Sequence, residues 1–333
     1  MDEIRKILLN SGSYCCGLIL VCLVLITACN ESIPAKDPTG SGSEDTVFAD
    51  VTPDRSKTFT YHLASPDHKV LLPPILREIS GIAVYDSVRL AGIQDEDGRI
   101  FIFRIRDGLV EKTVPFSKHG DYEDITVVKD RMYVLKSNGN IYRIDHFNAA
   151  TPSVTLFTTS LTSRNDCEGL CYDPFLNALL IACKGSPSLK KDQSLPKQRA
   201  VYKFIFATSD IDTIPFLLIN TERIARGEPL DWYQGISARM ASRLSQNGSI
   251  VFQPSGIALH PVTGNLYILA HVGKMILIVD RKGSILHYLS IDPAILPQPE
   301  GICFDTDGVL YIASEGVEAE AVLAVYCPEE EIH

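Results

Sequence analysis

The stretch Glu78-Ile79-Ser80-Gly81-Ile82 returns along the chain as Asp121-Tyr122-Glu123-Asp124-Ile125, Asp166-Cys167-Glu168-Gly169-Leu170, Gln253-Pro254-Ser255-Gly256-Ile257 and Gln298-Pro299-Glu300-Gly301-Ile302. The common pattern is an oxygen-bearing side chain, any residue, Ser or Glu, a small or turn-forming residue, then Ile or Leu. Successive Ser/Glu positions lie 43, 45, 87 and 45 residues apart. A period of this size marks a repeat fold, in which each unit buries its apolar faces against its neighbours.

Each copy is followed by short apolar runs separated by turn residues. After the first come Ile82–Tyr85, Leu90–Ile93, Ile100–Ile105 and Val110–Val114, with turns at Asp86-Ser87, Asp95-Glu96-Asp97-Gly98 and Asp107-Gly108. Four such strands make one antiparallel sheet. The fifth repeat contains Ile302–Phe304, Leu310–Ala313 and Val322–Val325 and is one strand short. An unassigned strand, Thr58–Leu63, precedes the first repeat, and lending it to the last sheet closes a ring with no open edge. The expectation is an all-β fold, a five-bladed β-propeller closed by an N-terminal strand and spanning residues 57–328. Six blades is the alternative, because the 87-residue interval has room for one more. No copy of the motif lies near its midpoint, residue 211. The polar insertion Ser186–Gln198 and the stretch 221–247 account for the excess, and Ile236, Met240 and Leu244 in the latter have the spacing of a short surface helix. Trp232 and Tyr233, just before it, read as packing for that helix, or as a stacking surface for a sugar or a partner.

In a propeller the first strand of each blade lines the central channel, and the motif sits at its start. Its first and third residues are two apart and point the same way. The third positions form a ring of Ser80, Glu123, Glu168, Ser255 and Glu300; the first positions add Glu78, Asp121, Asp166, Gln253 and Gln298. A second column, just past the second strands, holds Asp95, Ser137, Lys184, His271 and Glu315. Three glutamates converging on a narrow channel are costly in low dielectric. Either they share protons, or a cation neutralises them, or they pair with Lys184 and His271 in a hydrated channel. Hard oxygen donors without Cys or His select Ca²⁺ or Mg²⁺, and a flexible ring suits Ca²⁺ better. Asp95-Glu96-Asp97-Gly98 lacks the later ligands of a calcium loop and reads as an acidic turn.

Before the propeller, Arg5 and Lys6 precede Cys15–Ala28, a 14-residue apolar run too short to span a bilayer comfortably. It ends in Leu25-Ile26-Thr27-Ala28-Cys29, which resembles a bacterial lipobox. Residues 1–28 therefore read as a lipoprotein signal peptide, with acyl chains such as palmitate on Cys29 as a membrane anchor. Residues 29–56, rich in Gly, Ser and Pro, read as a flexible tether. Asn30 is not the Asp that some enterobacteria use for inner-membrane retention, which favours the outer membrane. The net charge is −10, and losing residues 1–28 removes two acids and two bases and leaves it unchanged. That argues against nucleic acid as a partner. Of nine cysteines, Cys167, Cys171, Cys183, Cys303 and Cys327 remain after Cys29. Cys171 and Cys303 share a repeat position and read as small core residues. A Cys171–Cys183 link is conceivable, and no spacing suits a structural zinc.

The Glu-Ile-Ser-Gly-Ile opening, the Asp-x-Glu repeats, the lipoprotein-like start and the final Pro-Glu-Gly-Ile resemble the SdiA-regulated family of bacterial envelope proteins, over about residues 57–326. The resemblance implies a five-bladed propeller, distantly like NHL repeats, with calcium in the central cavity and no established reaction. Carried onto this chain, the acidic positions are Glu78, Asp121, Glu123, Asp166, Glu168 and Glu300. Asp124 departs from the pattern, which has Gly there. Two functions compete. One is a monomeric, lipid-tethered binding module for an unknown protein or small molecule. The other is a metal-dependent hydrolase, lactonase- or phosphoesterase-like, with Asp121 or Asp166 as general base. Polyanionic substrates are disfavoured, since Lys184, His271, Lys136 and Lys274 face many acids. No nucleophile elbow or Ser/His/Asp set is evident.

Overall fold

The computed structural model describes residues 53–54, 57–191, 193, 195, 197–222, 245–246, 249–250, 252–316 and 319–330. Five antiparallel sheets are arranged as blades. Blade one is Ile79–Val84, Arg89–Gln94, Arg99–Arg104 and Val110–Pro115; blade two is Tyr122–Val128, Arg131–Lys136, Ile141–Asp145 and Ser153–Phe157. Blade three is Cys167–Asp173, Ala178–Cys183 and Gln198–Ile205, with Asp210–Ile211 and Leu217–Asn220 both paired to its third strand. Blade four is Gln253–Leu259, Leu266–Val272, Met275–Val279 and Ile285–Ser290. Blade five is Gln298–Phe304, Leu310–Glu315 and Val322–Tyr326, completed by His68–Leu71 from the other end of the chain.

The continuous apolar runs in the middle strands follow from this arrangement. A blade is covered on both faces, so alternation gives way to unbroken hydrophobicity. In Ile100-Phe101-Ile102-Phe103 all four residues are buried. Phe101 and Phe103 pack with Tyr311, Leu323 and Val325 of blade five, while Ile100 and Ile102 pack with Ile125, Met132 and Val134 of blade two. Asp173 and Arg281 tie blade three to blade four, with Nη2 2.6 Å from a fully buried carboxylate oxygen.

The five inner strands meet around the axis, and small residues make that possible. A Cβ added to Gly81 would lie 2.6 Å from Asp124 Cα, one on Gly169 2.8 Å from Ile257 N, one on Gly256 2.7 Å from Glu300 O, and one on Gly301 3.0 Å from Ile82 N. Such separations admit no side chain. Blades two and three are joined differently: Asp124 Oδ2 accepts from Leu170 N at 2.7 Å. Blade three therefore touches blade four directly, and the six-blade alternative fails because no gap exists between them for a further inner strand.

Closure is N-terminal, as expected, but by a different segment. His68–Leu71 pairs with Val322–Tyr326, with His68 opposite Val325 and Leu71 opposite Val322. In the expected strand, Thr58–Leu63, only Phe59–Thr60 is extended, and it pairs with Glu329–Glu330 outside the blade. Tyr61 and Leu63 are buried against blades four and five, and Tyr61 Oη donates to Gly308 O at 2.6 Å. The alternation there reflects side chains filling a core, not a ladder. The true closing strand buries only Val70; an outermost strand with one residue inward carries almost no periodic signal.

The conceivable Cys171–Cys183 link is also corrected. Cys171 lies opposite Leu180, and Cys183 lies opposite Cys167. The five described cysteines are free thiols. Cys171 and Cys303 are buried, as their repeat position indicated. With Ala83, Thr126 and Ala258 they line a cavity of about 240 Å³ further along the inner strands. The expected signal peptide, Cys29, most of the tether, Trp232, Tyr233 and the helix around Ile236–Leu244 lie outside the described residues. Among the described residues no helix is long and apolar enough to cross a membrane.

Candidate functional site

Every blade breaks its first strand pair at the same place. The register shifts between Ile79 and Gly81, Tyr122 and Asp124, Cys167 and Gly169, Pro254 and Gly256, and Pro299 and Gly301. The extra residue is in each case the third of the motif: Ser80, Glu123, Glu168, Ser255 or Glu300. A β-bulge leaves that residue out of the ladder and turns its side chain toward a new direction. Five bulges at one level re-aim five polar side chains at one channel mouth.

The mouth is a cavity of about 260 Å³. Its lining takes in Ser80, Glu123, Glu168, Ser255 and Glu300 from the inner strands, Glu78, Asp121 and Asp166 just ahead of them, and Asp95, Lys184 and Glu315 from the second column. All six acids singled out in the sequence thus converge. The two serines do other work as well. Ser80 Oγ donates to Tyr122 O and Ser255 Oγ to Pro299 O, each at 2.9 Å, so they clamp neighbouring blades. Gln253 and Gln298 do not line the cavity, although Gln298 Nε2 donates to Glu315 Oε2 at 3.2 Å. Asp95 and Glu315 belong with the ligand candidates, and the second column, at the ends of the second strands, already marked them.

A lysine and a histidine are built in. Lys184 Nζ lies 2.7 Å from Glu168 Oε1 and 3.9 Å from Asp166 Oδ2. His271 Nδ1 lies 2.7 Å from Glu300 Oε1. Ser137 Oγ donates to Asp121 Oδ2. Among the described residues Glu123 forms no ion pair of its own, although Lys184 acts on it from a distance. Burial, then Glu168 and Asp121, push its carboxyl up to about 10. Burial raises Glu168 as well, but Lys184 opposes it, and the carboxyl settles at about 7. Burial and then its acidic neighbours raise Glu315, through Glu300 first, and Asp95, through Glu78 first. At neutral pH the mouth therefore holds protons that ordinary carboxyls would have lost.

The donor set is one of hard oxygens, and Asp95 Oδ1 is buried with no hydrogen-bond partner among the described residues. That chemistry fits a calcium ion. No group of three or more carboxylates, histidines or thiols among the described residues is gathered tightly enough to hold a metal as it stands. Glu123, Glu168, Glu300, Asp121, Asp166 and Glu78 would have to swing inward to ligate one.

Asp124 sits where the other repeats have Gly. It is fully buried, and it accepts from Ile125 N at 2.8 Å as well as from Leu170 N. Its extra bulk is spent on joining blades two and three, beneath the mouth, and Glu123 keeps its place in the ring.

Fold and site define a five-bladed propeller with an acidic channel mouth. The family described as SdiA-regulated matches residues 58–317, and the chain belongs to it. Comparison with curated protein sequences finds no match. Among solved structures, glutaminyl cyclase from Myxococcus xanthus is similar in fold, with a TM-score of 0.50 at 9% identity over 80% of this chain and 97% of that one. Luciferin-regenerating enzyme aligns with a TM-score of 0.44 at 12% identity, over 75% of this chain and 91% of its own. Virginiamycin B lyase from Staphylococcus aureus aligns with a TM-score of 0.39 at 14% identity, over 78% and 68%.

Proposed function

We propose that this protein is a lipid-anchored binding module of the bacterial envelope, attached through Cys29 at the outer membrane, whose acidic mouth takes a calcium ion. One observation carries the calcium reading: Glu123, Glu168 and Glu300 are delivered by bulges to a single cavity where burial and mutual repulsion hold Glu123 protonated up to about 10. A divalent cation would relieve that repulsion and let Asp121, Glu123, Asp166, Glu168, Glu300 and Glu78 ionise together. Binding would then release protons, and affinity would rise with pH. Calorimetric calcium titration in buffers of different ionisation enthalpy tests this. The expected result is proton release on binding, reduced in Glu123→Gln. Absence of any calcium heat, with no change in Tm, would refute the metal.

A second reading, a metal-dependent hydrolase, has one observation in its favour. Glu168, raised to about 7 by burial and held beside Lys184, lies in the working range of a general base. Turnover of lactones or phosphoesters that follows calcium and disappears in Glu168→Gln would support it; a panel with no turnover above buffer would leave the binding module.

A further inference from the structure

Blade three differs from the others at the pair of residues just ahead of the bulge. The equivalent pairs are Ile79 with Gln94, Tyr122 with Lys136, Pro254 with Ala270 and Pro299 with Ser314. In blade three the pair is Cys167 with Cys183, and their Sγ atoms are 3.9 Å apart. Both side chains are fully buried. Cys167 N donates across the blade gap to Ser137 O, while Lys184 N donates to Asp166 O. The ladder bonds therefore flank this pair and do not join it. In antiparallel sheets such non-bonded positions bring Cα atoms to about 4.5 Å and side chains closest together, inside the span a disulfide accepts.

The geometry points to Cys167 and Cys183 as a cross-strand disulfide site that staples the acidic mouth. Asp166 and Glu168 flank one sulfur, and Lys184 follows the other. The bond would clamp the strand ends that carry the Lys184–Glu168 ion pair, whatever ligand the mouth takes. A low-molecular-weight disulfide such as oxidised glutathione supplies the oxidising equivalents. One cysteine thiolate attacks it and expels a glutathione thiolate, the second attacks the mixed disulfide and expels another, and the two protons lost end on the two glutathiones. In the folded protein, contact with Cys183 and burial push the Cys167 thiol up, so native exchange is slow. The bond forms while the strands of blade three assemble or open locally.

No Lys or Arg lies between Asn165 and Lys184, so trypsin releases Cys167, Cys171 and Cys183 in one peptide. The full-length chain in detergent is equilibrated with reduced and oxidised glutathione, just below its denaturation midpoint, then alkylated in denaturant and mapped by mass spectrometry. The expected peptide is two hydrogens lighter than the dithiol and carries one alkyl group, on Cys171. Cys171→Ala keeps the link; Cys183→Ala loses it. The oxidised wild type melts roughly 5–10 °C above the reduced form, and in Cys183→Ala that difference vanishes. Alkylation of all three cysteines, or protection of Cys171 in place of Cys167, overturns the assignment.

Discussion

Replacing Glu123 by Gln should stabilise the calcium-free protein, and the gain should depend on pH. Burial and the charges of Glu168 and Asp121 raise the Glu123 carboxyl from 4.5 in the unfolded chain to about 10 in the folded one. Its contribution is fully present below pH 4.5 and drains away as pH rises towards about 10, because folding must carry a proton that the unfolded chain has released. At pH 8 the difference is about 3.5 pH units above the unfolded value, and about 1.4 kcal/mol per unit sets an upper bound near 5 kcal/mol. Water entering an open mouth reduces this to about 2 kcal/mol. Gln keeps the shape of the neutral acid without the proton. Urea unfolding followed by circular dichroism, with calcium chelated, should then show Glu123→Gln more stable by roughly 2–5 kcal/mol at pH 8 and indistinguishable from wild type near pH 4.5. A variant that is less stable at pH 8, or equally stabilised at both pH values, would refute the reasoning.

Lys184→Met should act in the opposite direction. It leaves Glu168, nine-tenths buried, without its cation, raises that carboxyl further and costs roughly 1–3 kcal/mol at pH 8, a loss that shrinks at pH 5 in the same unfolding assay. Asp173→Ala strands Arg281 between blades three and four and should cost about 3–5 kcal/mol. Adding Arg281→Met should restore much of it, and a double-mutant cycle that came out additive would show that the two do not interact.

Much of the propeller is legible in the chain because its physics is local and repeated. Four apolar strands per unit, a turn between each and a fixed motif at the head of the first are enough to specify blades and a ring of polar side chains. The excess length between Glu168 and Ser255 kept a sixth blade open. What excludes it is contact between backbones distant in sequence, with Gly169 set against Ile257. The closing strand escaped for a related reason. His68–Leu71 turns only Val70 inward, so its identity rests on pairing with Val322–Tyr326, whereas Thr58–Leu63 alternates because Tyr61 and Leu63 enter a core built by blades four and five.

At the site, residue type determined the chemistry and tertiary structure determined the roles. Glu123, Glu168 and Glu300 were identifiable as one ring from their period alone. That Ser80 and Ser255 in the same column clamp blades, that Lys184 pairs with Glu168 and His271 contacts Glu300, and that Glu123 has no ion pair of its own among the described residues, all depend on which side chains the bulges bring within hydrogen-bond reach. The same holds for Cys167 and Cys183. The register decides that Cys167 and not Cys171 faces Cys183 across the strands, and only the folded ladder sets that register.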